Sequence, residues 1–219
     1  MSVPFTSRPV VLFDFDGTVV DTQPAILRVA MRVIERHGLP VPTVEQMLPM
    51  VGPPLEEGFM LVAGVGREEA TVLAAEYREL FEEMVTPPDY PVFPGMRELL
   101  DALVADGRRL AVATSRMEDT ARKMVAGQGL DQFAAVCGRV PGVRYHKSES
   151  IAAALEALGA SAEDAVMVGD RKNDVEGAAA LGIPCIGIYN GAAEPGEHEA
   201  AGTVATVRSA AELQRLLLG

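Results

Sequence analysis

The chain alternates between short unbroken apolar runs and longer stretches in which apolar residues recur every three or four positions. The first run, Val10, Val11, Leu12 and Phe13, is continuous, as expected of a parallel strand covered on both faces. It ends in Asp16-Gly17-Thr18, where glycine permits a sharp turn. Ile26, Val29, Ala30, Val33 and Ile34 then fall at helical spacing and predict a helix over 23–37, with Gly38 as its stop. Thr43 and Gln46 have capping-box spacing, and the loop at 51–55 interrupts the helices. Leu73, Tyr77, Leu80, Phe81 and Met84 share one face of a predicted helix over 67–84. Residues 20–86 therefore read as all-helical.

The proline-rich stretch at 86–91 marks a linker, and beyond it the pattern changes. Helix is predicted over 96–106 and strand over 109–113. Helix resumes near Glu118, a weaker strand covers 133–137, and a helix capped by Ser148 carries Ile151, Leu155 and Leu158. Strands at 165–168, 183–189 and 203–207 follow. A helix through Ala180, stopped at Gly182, comes after the first of these. Ser209 with Glu212 boxes a last helix. One strand, a helical insert and then repeated strand–helix units predict an α/β protein, a doubly wound (Rossmann-like) parallel sheet. The expected core is 1–19 with 87–219, and the expected helical insert is 20–86. In such sheets ligands bind beyond the carboxyl ends of the strands.

Composition narrows the classes. Nineteen basic against thirty-one acidic residues give a net charge of −12, which argues against a nucleic-acid or acidic-membrane partner. The two cysteines, Cys137 and Cys185, lie in apolar runs without metal-ligand spacing, as buried thiols of a reducing compartment do. Residues 1–9 lack the features of a signal peptide. The expectation is a cytoplasmic protein.

The chemistry-bearing residues collect where the strands are predicted to end. Asp14 and Asp16 follow the first strand; two crowded acids either bind a cation or divide into acid and base. Thr114 and Ser115 stand where the second strand gives way to a helix, suited to a phosphate oxygen or simply to a cap. Asp170 ends a third strand with Asp174 four residues on, as a ligand pair or as acids at a helix N-terminus. Lys147 precedes a helix. No dinucleotide or P-loop glycine pattern is present.

Asp14-Phe15-Asp16-Gly17-Thr18, then Thr114, Lys147, and Gly169-Asp170 with Asp174 resemble the four motifs of the haloacid dehalogenase-like phosphohydrolases. The insert resembles the four-helix cap of one subgroup, and Gly52-Pro53-Pro54-Leu55 with the stretch at 90–95 resembles its phosphoglycolate phosphatase and 5′-nucleotidase members. The resemblance implies Mg²⁺-dependent hydrolysis of a small-molecule phosphate ester. Asp14 would be the nucleophile and Asp16 the general acid and base. Asp14, the Asp16 carbonyl and Asp170 would be the metal ligands, with Asp174 behind them. Gly17, Thr114, Ser115 and Lys147 would contact phosphate. Gly52, Pro53, Pro54 and Leu55 would face the leaving group, with Arg28, Arg32 or Phe59 as further candidates. A phosphomutase of the same superfamily shares the two acids but usually carries Glu-Asp-Ser at the fourth motif. A phospho-aspartate receiver module has neither the helical insert nor the second acid.

Overall fold

The computed structural model describes residues 4–219; the first three residues of the stretch at 1–9, expected to carry no signal peptide, lie outside them. The elements run β1 (Val10–Phe13), α1 (Gln23–Arg36), α2 (Val44–Met47), α3 (Leu55–Ala63), α4 (Arg67–Met84), α5 (Met96–Ala105), β2 (Arg109–Met117), α6 (Glu118–Gly127) and β3 (Phe133–Arg139). They continue α7 (Lys147–Leu158), β4 (Ala165–Gly169), α8 (Lys172–Ala179), β5 (Cys185–Ile188), α9 (Glu197–Ala201), β6 (Ala205–Val207) and α10 (Ala210–Leu218).

The six strands form one parallel sheet in the order β3-β2-β1-β4-β5-β6. All four β1 side chains are fully buried, which is why that strand is uninterruptedly apolar. Burying each such side chain contributes roughly 1.5–3 kcal/mol. Val10 and Leu12 join the cluster that includes Ile151 and Leu155 of α7 and Met167 of β4. Phe13 meets Phe133 edge to face, ring centres 5.9 Å apart.

Register positions the site. Phe13 lies opposite Val112 on one side and Val168 on the other. The residues just beyond, Asp14, Thr114 and Asp170, therefore stand at nearly one level of the sheet, although 156 positions separate the two aspartates in sequence. The chain builds outward from β1 in both directions, so Asp14 and Asp170 flank the point where strand order reverses. That is the crevice in which such sheets take ligands.

The chain divides into two compact units: residues up to Asp21 with Pro91–Gly219, and Thr22–Tyr90. The second is helical, with α4 packed on α1 and α3. Its aromatic core sets Phe59 6.1 Å from Tyr77, and Tyr77 5.6 Å from Phe81. Phe59, fully buried, is committed to this packing. Arg28 pairs with Asp89 and Arg32 with Glu35.

Three local readings change. β2 runs on to Met117 through an irregular register after Ala113, so Thr114 and Ser115 lie in a strand and do not cap a helix. α7 begins at Lys147 with His146 at its cap position. The Glu149 carboxylate accepts from the N–H groups of Tyr145 (2.6 Å) and His146 (2.8 Å), closing the first turn ahead of Ser148. The short α9 has too little periodicity to be read in advance.

Arg108 ties the opposite, amino-terminal edge of the sheet together. Its guanidinium donates to the carbonyls of Arg8 (2.7 Å), Thr6 (2.9 Å) and Leu217 (3.0 Å) and to Asp106 (2.9 Å). Arg108→Met should destabilise the protein by roughly 2–4 kcal/mol, because it leaves buried carbonyls without donors. Urea unfolding should read this loss while kcat stays at the wild-type value.

Candidate active site

Beyond β1 the chain turns so tightly that the Gly17 N–H donates to the Val20 carbonyl (2.9 Å). Gly17 has φ +77°, and a Cβ there would lie 2.2 Å from Asp170 Oδ2. Its expected part as a phosphate contact is thus not through a free amide; what it provides is room for Asp170. Gly191 does the same from another loop, where a Cβ would lie 2.0 Å from the same oxygen. The Thr18 hydroxyl donates to Asp170 Oδ1 (3.1 Å).

Lys147, at the first position of α7, enters this crevice almost fully buried. Its Nζ stands 2.7 Å from Asp14 Oδ1 and 2.6 Å from Asp174 Oδ1. Asp174 is anchored in turn by the Arg171 N–H (3.0 Å). Glu197 of α9 accepts from the Arg171 side chain (2.9 Å) and the Lys172 N–H (2.8 Å). The loop between Asp170 and Asp174 is therefore held from outside by a residue that no motif announced. On the other flank Glu118 accepts from the Gly138 N–H (3.2 Å) and from Arg144, fixing the segment that leads into Lys147.

Burial raises the Asp14 carboxyl to about 7; Lys147 opposes that shift, and Asp174 and Asp16 add to it. Asp170 is raised by burial first, then by Asp14 and Asp174. Burial alone would push the Lys147 ammonium down, but Asp14 and Asp174 outweigh it and hold the group above its usual range. The lysine thus remains a cation in a dry site.

Asp14, Asp170 and Asp174 bring carboxylate oxygens within 4.8 Å of one another. Three carboxyls of which burial keeps two from ionising readily would be relieved by a further cation beside Lys147, and hard oxygen donors suit a hard divalent cation. The residues fit such an ion.

Asp16 and Thr114 stand beside this cluster. Thr114 is buried, and its Oγ1 accepts from the Arg116 N–H (3.1 Å). Ser115, the next residue, is exposed. Arg116 grips Asp16 with two nitrogens, Nε to Oδ2 at 2.9 Å and Nη2 to Oδ1 at 2.7 Å. Arg116 was not among the expected site residues. The signal was its spacing of two from Thr114, which puts both on one face of a strand once β2 is seen to continue. Gly52, Pro53, Pro54 and Leu55 lie in the helical unit, at the entry to α3.

The family model of haloacid dehalogenase-like hydrolases matches residues 11–188. The chain belongs to this family. Among its relatives, a 5′-nucleotidase of Pseudomonas aeruginosa is 37% identical over 84% of this chain and 83% of its own. The tyrosine-protein kinase PtkA of Mycobacterium tuberculosis is 38% identical over 84% of this chain, which spans only 63% of that protein. A crystal structure described as a predicted phosphatase from Clostridium acetobutylicum superposes with a TM-score of 0.88 at 31% identity, covering 97% of this chain and 99% of that one. Haloacid dehalogenase-like members therefore match both the helical insert and the α/β core of this chain.

Because the folded-state pKa of Asp14 is raised above its unfolded value of 3.8 to about 7, the native state holds a proton that the unfolded chain has lost between those values. Stability from this group is present at low pH and is lost as pH rises through about 7. Metal-stripped protein should therefore be less stable at about pH 8 than at about pH 5. Asp14→Asn should reduce that dependence and leave the part that Asp170, also raised by burial, contributes. Denaturant unfolding in chelator at both pH values checks it.

Proposed function

We propose that the chain is a Mg²⁺-dependent phosphatase of small-molecule phosphate esters working through a phosphorylated Asp14. The observation that carries the reading is Lys147, set between Asp14 and Asp174 with Asp170 alongside. A carboxylate poised for attack, a cation fixed beside it and a further acid at i+2 are the parts that two-step phosphoryl transfer needs.

An Asp14 oxygen forms a bond to phosphorus as the bond from phosphorus to the ester oxygen breaks. Asp16 gives its proton to the departing oxygen, then takes one from the water that attacks the phosphorylated Asp14, releasing inorganic phosphate. Lys147 and the Thr114 hydroxyl hold phosphate oxygens, with Ser115 as a further donor. Asp174 keeps Lys147 directed at Asp14. Asp14, the Asp16 carbonyl and Asp170 would hold Mg²⁺, which when bound offsets charge on the phosphate and keeps Asp14 ionised. The helical unit would act as the cap, with Gly52, Pro53, Pro54 and Leu55 meeting the leaving group. The substrate would be phosphoglycolate-like or a 5′-nucleotide. Buried free thiols at Cys137 and Cys185 fit a cytoplasmic setting, and among the described residues no helix is long and apolar enough to cross a membrane.

Asp14→Asn should lower kcat by roughly 10³-fold or more, and beryllofluoride should form an adduct on Asp14 in the wild type. Turnover by a variant preparation shown free of deamidated protein would refute the nucleophile. Asp16→Asn should slow ethyl phosphate far more than p-nitrophenyl phosphate, since a good leaving group needs little protonation. Equal losses on the two esters would exclude Asp16 as the acid.

A further inference from the structure

Asp16 and Arg116 are locked to each other at the edge of the site. Both carboxylate oxygens accept from the guanidinium, the Arg116 side chain is 13% exposed and that of Asp16 is 21% exposed. Such a two-point, partly buried pair is among the stronger polar contacts a protein makes. It also occupies Asp16: with both oxygens turned to Arg116, the carboxyl is not presented to a departing ester oxygen. Arg116 therefore has to let go before Asp16 can act.

Exchange is the issue. An arginine that leaves a carboxylate for a neutral group gives up a charge-assisted pair and receives nothing equal, whereas one that moves to another anion replaces like with like. Its backbone N–H is tethered to Thr114 Oγ1 (3.1 Å), so the main chain stays by the phosphate seat and only the side chain swings. On the phosphatase reading Asp16 has to reach the ester oxygen, and the Arg116 guanidinium reaches Asp16. An anion carried on the leaving group next to that oxygen would therefore meet the guanidinium that Asp16 now holds.

We propose that Arg116 is the specificity residue of the site. It rests on Asp16 in the free enzyme and transfers to an anionic group, carboxylate or phosphoryl, carried close to the ester oxygen on the leaving group, and so releases Asp16. The proposal rests on the phosphatase reading above and chooses between its two substrates: it favours the phosphoglycolate-like one, whose leaving group is an anion, over a 5′-nucleotide, whose leaving group is neutral.

The test compares kcat/KM for 2-phosphoglycolate and pyrophosphate, whose leaving groups carry a carboxylate and a phosphoryl group, with that for ethyl phosphate, whose leaving group is neutral. The wild type should favour at least one anionic substrate by about tenfold or more, and the one whose advantage is lost with Arg116 identifies the group. In Arg116→Gln the 2-phosphoglycolate ratio should collapse toward unity and the pyrophosphate ratio should fall by about tenfold, toward the intrinsic advantage of its better leaving group, while Arg116→Lys, which keeps charge but not the fork, should fall between. Arg122→Gln removes the same charge from an exposed helix position and should leave the ratio as it was. A second measurement does not depend on the Arg116 variants folding. Asp16→Asn weakens the resting partner of Arg116, so it should bind the preferred anionic ester more tightly than wild type by several-fold, with ethyl phosphate unchanged. A wild-type ratio near one, an unaltered ratio in Arg116→Gln, or unaltered binding in Asp16→Asn overturns the proposal. Wild-type protein that hydrolyses none of these esters with Mg²⁺, nor p-nitrophenyl phosphate, refutes the phosphatase reading itself. Hydrolysis of all of them with an indifferent Arg116 refutes only this inference.

Discussion

An ammonium ion shared by two buried carboxylates imposes most of the order around it. Lys147 can be carried into a dry crevice only because Asp14 and Asp174 receive it there, and either acid alone would leave a buried charge poorly matched. The three groups come from three different strand–helix connections. Their meeting therefore requires the sheet register, the start of α7 and the turn into α8 to be right together. Glu197, Arg171 and Glu118 are best understood as bracing for that requirement, since each fixes a loop that delivers one of the three.

The same arrangement gives the cluster a reason to favour a cation. Asp14 and Asp170 are held in surroundings that resist their ionisation, and Lys147 compensates only part of the cluster. Bringing these acids together is unfavourable in itself, and the surrounding core offsets that cost. The fully buried β1 and the cluster beneath it supply that support. Functional strain at the carboxyl ends of the strands is thus set against close packing along their length.

Most of the architecture was readable from periodicity, because buried parallel strands are continuously apolar and the helices between them have one apolar face. α4 is the clearest case, its pattern having the extent of the helix itself. Asp14, Lys147, Asp170 and Asp174 were nameable because they sit at strand ends in a recognisable order, and the fold does bring their side chains together. Arg116 was not, because the apolar signal of β2 stops at Ala113 while the strand continues in polar residues that take their conformation from β3. α9 and Glu197 escaped for a similar reason: five residues are too few to show a period, and the helix exists through its tertiary contacts. Gly58, a poor helix former within α3, is explained only by Met50, whose Sδ would lie 2.7 Å from a Cβ.

The glycines against Asp170 carry one more implication. Gly17 and Gly191 have no side chain that could take part in a reaction, yet a single methyl at either would occupy the space of the Asp170 carboxylate. A saturation scan scored by turnover would rank them with the aspartates, while a search for chemically competent side chains would pass over both. The walls of this crevice cannot be retuned by small steps, because the smallest available step already collides. Divergence toward new substrates must then come from the parts of the chain that still have room to vary, and the floor that holds Asp170 stays as it is.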